Sequence, residues 1–329
     1  MKKYIPFIVL LLILTALSPY SQAAPIISQL FDRDIPLGSN PIENIPQYNW
    51  WYGCSPTAGG MLLGYWDSHP SGNWSNLVEG DVSTWNYTAR NMVASPEHIR
   101  DYWGTPDPNP EGHDNNCIAD FMHTSRSAGG LNDGGTLGQY IPYGLKEFAK
   151  WDNPDTLTNE SYEAESWQNP VQRYAGSFNW NTFKSEIDQG NPTILNMVEY
   201  HGDEGWYGHS VVGYGYKENL FNIKIYDGEW KNITVGGFAI WDTWDISSSQ
   251  SSWLGWDEET IQSMIDENGV EWWPFLDVSA TNGYSYDGGY WDWGITEGVF
   301  FHLVPEPSTF LLFIFGLLSG FFIRKKNPR

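Results

Sequence analysis

Residues 192–242 read PTILNMVEYHGDEGWYGHSVVGYGYKENLFNIKIYDGEWKNITVGGFAIWD, and their pattern decides the fold class. Pro192–Tyr200 reads as a strand centred on Ile194-Leu195 and Met197-Val198, with His209–Tyr216, Phe221–Asp227 and Phe238–Asp242 as the next three. Just upstream, Trp180, Phe183 and Ile187 mark one face of a helix that Gly190 ends. Downstream, a helix is expected around Asp257–Glu267 (Ile261, Met264, Ile265). A last strand is expected over Gly294–Leu303, with Ile295, Val299, Phe301 and Leu303 on one face. Helix first, then a mostly antiparallel sheet, is an α+β order rather than a βαβ one.

Further toward the N-terminus, Cys54-Ser55-Pro56-Thr57 precedes Met61, Leu62, Tyr65 and Trp66, which share one face of a helix. Pro56 fits the first turn, where its missing N–H costs nothing. Cys54 therefore sits at or just before the N-terminus of a buried helix. Residues 24–46 hold four Pro and little periodicity, and read as an extended lead-in. Residues 68–176 are the least legible stretch, with weak helical patches near Cys117–Ser125 and Pro142–Trp151.

The composition narrows the function classes. Lys and Arg number 17 against 40 Asp and Glu, a net charge of −23, which argues against a nucleic-acid partner, because phosphate binding needs a basic surface. With 19 Trp, 19 Tyr and 16 Phe, the chain is too aromatic for intrinsic disorder. The two ends read as addresses. Residues 1–23 have a basic start (Lys2, Lys3), an apolar run from Tyr4 to Leu17 and Ser21-Gln22-Ala23, the pattern of a cleaved export signal. Residues 304–329 hold Val304-Pro305-Glu306-Pro307, a short apolar segment Ser308–Ile323 and Arg324-Lys325-Lys326. That segment is short for a free-standing membrane span, and the basic cluster after it favours the cytoplasmic side. Without both ends the balance is 11 basic against 39 acidic residues, a surface that attracts basic peptides and cations.

A cysteine nucleophile needs thiolate character, a base and donors for an oxyanion. Cys54 has the first by its place at a helix N-terminus. His209, between Gly208 and Ser210 at the start of a strand, is the candidate base. Asp242, ending a later strand, is the candidate that orients it, with Asp245 in competition. Gln47 is the candidate second donor beside the Cys54 N–H. A second reading stays open: Cys54 and Cys117, the only cysteines, pair as a disulfide in an exported, non-enzymatic protein. In that version Trp-rich segments such as Trp272-Trp273 bind extracellular polysaccharide. A calcium site built on Asp227, Asp287, Asp292 and Asn132-Asp133-Gly134-Gly135 is a weaker candidate, since no EF-hand spacing is present. No cofactor is called for.

The segment from Cys54 to Met61, preceded by Gln47, resembles the nucleophile region of papain-like cysteine peptidases. It is most similar to the bacteriocin-processing (double-glycine leader) group, family thirty-nine of the cysteine peptidases. Gly208-His209-Ser210-Val211-Val212-Gly213-Tyr214-Gly215-Tyr216 resembles that family's Gly-His strand, and Ala239-Ile240-Trp241-Asp242 the strand that ends in its acidic triad member. The resemblance covers roughly 47–67 and 178–245. It implies a papain-like fold over 47–303, with a helical N-terminal half carrying the nucleophile helix and a sheet in the C-terminal half. It further implies a Cys54–His209–Asp242 triad with Gln47, and a peptide or protein substrate. Ser55 stands where the family usually carries Gly. Residues 304–329 resemble the PEP-CTERM sorting signal, which implies an exosortase partner, a short transmembrane segment before processing, and release or attachment at the cell surface, often amid exopolysaccharide.

Overall fold

A computed structural model describes residues 26–29, 42–69, 74, 77–78, 80–102, 114–125, 134–151, 162–170, 178–200, 206–227, 229–241, 243, 252–256, 264–265, 271–274, 276–277 and 293–304. The described helices all precede Thr193: α1 (Cys54–Ser68), α2 (Tyr87–Val93), α3 (Pro96–Tyr102), α4 (Ile118–Phe121), α5 (Tyr140–Lys150) and α6 (Trp180–Asp188). Strands β1 (Ile26–Gln29) and β2 (Ala164–Pro170) come early. The rest of the sheet follows α6: β3 (Thr193–Tyr200), β4 (Trp206–Asp227), β5 (Glu229–Trp241), β6 (Ser252–Trp256), β7 (Met264–Ile265), β8 (Glu271–Pro274), β9 (Leu276–Asp277) and β10 (Trp293–Leu303).

Among the described residues, the strands run β7-β8-β10-β3-β4-β5-β6-β9, with β1 added on β4 and β2 on β10. All of these pairings are antiparallel. Side chains of successive strand residues leave on opposite faces, and this sheet buries both. Ile194, Val212, Tyr214, Ala239, Val299 and Phe301 enter a large core with α1, α4 and α5. Their chain neighbours Leu195, Val211, Ile240 and Phe300 enter a second core with Phe183 and Ile187 of α6. The helices thus cover the sheet on two sides.

Helix α1 is buried along its whole middle, from Ser55 to Trp66, as a helix apolar on every side must be. Its glycines let neighbours come close. A Cβ on Gly60 would stand 2.6 Å from a methyl of Val93, and one on Gly64 2.6 Å from the Tyr48 hydroxyl. The Tyr48 hydroxyl, beside Gly64, donates to the Val82 carbonyl. Two helices start on Asn caps, whose side-chain oxygens take the orphan amide of the third residue. Asn86 accepts from Ala89 N at 3.0 Å, and Asn179 from Thr182 N at 2.9 Å.

Several sequence expectations change. The two strands expected over His209–Tyr216 and Phe221–Asp227 are one strand, β4, with register shifts at Gly213/Gly215 and Lys217/Phe221 absorbing the polar interval. The helix expected around Asp257–Glu267 is a strand at Met264–Ile265, paired with Trp272 and Glu271; the rest of that segment lies outside the described residues. Ile295 does not share a face with Val299, Phe301 and Leu303. A bulge between Ile295 and Glu297 shifts the β10–β3 register, so Ile295 joins the α6 side while the other three join the α1 side. The stretch 68–176, opaque in sequence, supplies α2 to α5 and β2. Among the described residues, no helix is long and apolar enough to cross a membrane. The proposed signal at 1–23 and the segment Ser308–Ile323 lie outside them.

Candidate active site

Cys54 is the first residue of α1, directly after Gly53. The chain enters the helix through an unusual turn: Tyr52 has φ 63° and Gly53 φ 147°. Only glycine takes the latter without strain, and a Cβ there would also lie 2.7 Å from the Gly134 carbonyl oxygen. Three bonds hold the turn. Trp51 N–H donates to Thr57 Oγ1 at 3.1 Å, Thr57 Oγ1 donates to the Gly53 carbonyl at 2.6 Å, and Trp51 Nε1 donates to the Ala94 carbonyl at 3.1 Å. This geometry leaves Cys54 at the positive end of a 15-residue helix, among the amides that have no partner within it.

His209 is buried on β4, and its side chain is hydrogen-bonded to the Cys54 thiol. Burial pushes that thiol up. The His209 bond and charge, the Ser210 backbone N–H and the Ser55 side chain outweigh it, so the Cys54 pKa lies below the ordinary cysteine value. A thiol with that balance, half-buried beside an imidazole, is suited to nucleophilic attack. Helix α1 packs across β4, which carries both His209 and Ser210, the latter opposite Asn196 of β3.

Of the other residues named from sequence, Gln47 lies half-buried in the extended segment before α1. Asp242 and Asp245 lie outside the described residues. The residues flanking Asp242 run beside the histidine: Trp241 is opposite Val212, and Thr243 Oγ1 donates to the Ser210 carbonyl at 2.9 Å. Both cysteines are free thiols, so the expected alternative of a Cys54–Cys117 disulfide does not hold. Cys117 is wholly buried, and burial with the Asp120 charge pushes its thiol well above the ordinary value. The calcium candidates Asp287, Asp292, Asn132 and Asp133 lie outside the described residues.

Two polar groups near the site were not foreseen. His98 Nδ1 bonds Asp120 Oδ1 at 2.5 Å, while Asp120 Oδ2 accepts from Cys117 Sγ at 3.2 Å and Asn116 N at 3.1 Å. The His98 ring meets Tyr52 edge-on at 5.0 Å, so this buried cluster props the turn before the nucleophile. Its three side chains lie within 4.8 Å of one another and are of metal-ligating types. Bonded to one another through Asp120, they act here as a structural knot. Nothing in the sequence marks them, because His98 and Asp120 are far apart along it and belong to the opaque stretch. The second group runs from Ser55 to Glu297, and it too joins residues from distant segments.

A family model described as the Peptidase_C39 like family matches residues 42–253, a span that contains α1, the Cys54–His209 pair and β3 to β5. The chain belongs to the Peptidase_C39 like family. The papain-like α+β expectation agrees with this membership and with the helical layer on an antiparallel sheet. A second match, to the PEP-CTERM protein-sorting motif, covers residues 303–326. That motif implies export, sorting toward the cell surface and processing by an exosortase. No curated protein matches the chain.

Proposed function

We propose that this member of the Peptidase_C39 like family is an exported cysteine peptidase hydrolysing peptide or isopeptide bonds, with Cys54 as nucleophile, His209 as base, Asp242 orienting the imidazole and Gln47 assisting at the oxyanion. The observation that carries the reading is the Cys54–His209 hydrogen bond at the start of a buried helix, with the thiol pKa held below its ordinary value. A proton passes from Cys54 Sγ to His209, and the thiolate attacks the substrate carbonyl carbon. The tetrahedral oxyanion takes hydrogen bonds from the Cys54 N–H and from Gln47. As the C–N bond breaks, His209 returns its proton to the leaving amine. Water, deprotonated by His209, then attacks the thioester and frees Cys54. The acidic surface favours cationic or neutral substrates. Before exosortase processing, Ser308–Ile323 acts as a short transmembrane anchor; afterwards the enzyme stands at the cell surface or is released.

Alkylation tests this. With the purified chain and iodoacetamide, Cys54 is expected to label rapidly at pH ~5.5, where an ordinary thiol of pKa ~8.5 is nearly inert. Cys117 is expected to stay unlabelled until the protein unfolds. His209→Ala should abolish the low-pH labelling, and Cys54→Ala any hydrolysis of a peptide library. Labelling of Cys54 that rises only above pH ~8 in the wild type overturns the proposal.

A further inference from the structure

Three neighbouring strands carry a row of polar side chains across the sheet. Glu297 of β10 stands opposite Asn196 of β3, which stands opposite Ser210 of β4. Directly opposed residues of antiparallel strands point to the same face, and the row ends on α1 at Ser55. The bonds are short and continuous: Asn196 Nδ2 donates to Glu297 Oε1 at 2.6 Å, Ser210 Oγ donates to Asn196 Oδ1 at 2.7 Å, and Ser55 Oγ meets Ser210 Oγ at 2.8 Å. Ser55, Ser210 and Asn196 are all buried. The chain fixes its own direction. Glu297 takes the Asn196 amide, Asn196 turns its carbonyl to Ser210, and Ser210 is left with only an acceptor for Ser55. Even the bulge in β10 serves the row, since the register shift between Ile295 and Glu297 is what brings Glu297 opposite Asn196.

Both ends of the Ser55–Ser210 contact adjoin the reacting pair: Ser55 follows Cys54 and Ser210 follows His209. The Ser210 backbone N–H also bonds the Cys54 sulfur. A half-buried carboxylate and a buried amide are costly to retain in a sheet unless hydrogen-bonded, and this chain of bonds joins them. We propose that the Glu297–Asn196–Ser210–Ser55 row is a positioning network that ties the start of β4 to the N-terminus of α1, holding His209 and the Ser210 amide against Cys54. Ser55 is the link that joins the network to the nucleophile. The inference rests on the peptidase reading above.

The test is the pH profile of Cys54 alkylation in the purified chain, with His209 the titratable group that acts on the sulfur. Ser55→Ala is expected to slow labelling about tenfold at pH 6, the effect of a thiol pKa raised by about one unit. Glu297→Leu, remote from the sulfur, should slow it by roughly fivefold, and Glu297→Gln, which keeps an acceptor for Asn196, should stay within about twofold of wild type. All rates should converge above pH ~9, where every variant is ionised. Unlabelled Cys117 and an unchanged circular dichroism spectrum certify the fold; should Glu297→Leu fail to fold, Ser55→Ala decides alone. Fast wild-type labelling with Ser55→Ala indistinguishable from it overturns the network and leaves the peptidase reading standing. So does a Glu297→Gln profile equal to that of a folded Glu297→Leu. An inert wild-type Cys54 sinks the peptidase reading itself.

Discussion

Replacing Asp120 by Ala tests how the opaque first half supports the candidate site. The Asp120 carboxylate accepts from His98 Nδ1, Cys117 Sγ and Asn116 N, at 2.5, 3.2 and 3.1 Å. His98, Cys117 and Asp120 are each 0% exposed. Leaving a buried donor without its acceptor costs about 1–3 kcal/mol, so removing one acceptor shared by three donors is expected to cost about 3–5 kcal/mol in all. For a domain of this size each kcal/mol lowers the melting temperature by about 2–4 °C, so a fall of roughly 6–20 °C is expected. Thermal unfolding followed by tryptophan fluorescence measures it. A functional consequence follows from the Tyr52–His98 contact. With His98 released, Tyr52 loses the wall that holds it at φ 63°, and low-pH labelling of Cys54 should slow at temperatures where the variant is still folded. Asp120→Asn, which keeps a carbonyl acceptor, should lose less on both counts. A melting temperature within about 2 °C of wild type for Asp120→Ala would refute the reasoning, because it would mean the cluster carries no buried electrostatic weight.

Other outcomes are open to measurement. Gly144→Ala should destabilise by about 2 kcal/mol in urea unfolding: the new methyl would sit 2.7 Å from the Met122 backbone nitrogen, which cannot swing aside, and that exceeds the helix-propensity gain. Asp67 is pushed up to about 7 by burial, despite accepting from Val78 N and Leu77 N, with Asp81 adding to the rise. A carboxyl whose pKa is raised on folding contributes stability at low pH that is lost as pH climbs through about 7. Asp67→Asn should therefore narrow the stability gap between pH 5 and pH 8, by about 1–2 kcal/mol once solvent screening at this partly exposed group is allowed for. An unchanged gap would show that Asp67 is ionised in the folded state at pH 5.

Much of this protein was legible along the chain because its signals are local. Apolar spacing in Met61, Leu62, Tyr65 and Trp66 marks α1; Trp180, Phe183 and Ile187 mark α6, which Gly190 ends; β3 and the two parts of β4 read as strands. Cys54 at a helix start and His209 at a strand start are local features too, and their chemistry could be named before their contact was seen. The tertiary structure alone decided the rest. Whether Ile295 faces α1 or α6 depends on a bulge, which is a property of two paired strands and has no trace in the alternation of one. Met264-Ile265 reads as part of a helix by its apolar spacing, yet the pairing with Glu271 and Trp272 makes it a strand. The Asp120 knot and the Glu297–Ser55 row join residues more than twenty and more than two hundred positions apart. Hydrogen bonds of that kind are set by which elements pack together, and a linear pattern records only what each element is. The sequence determined the chemistry available and the helix that presents it; packing determined which histidine, amide and carboxylate that chemistry meets.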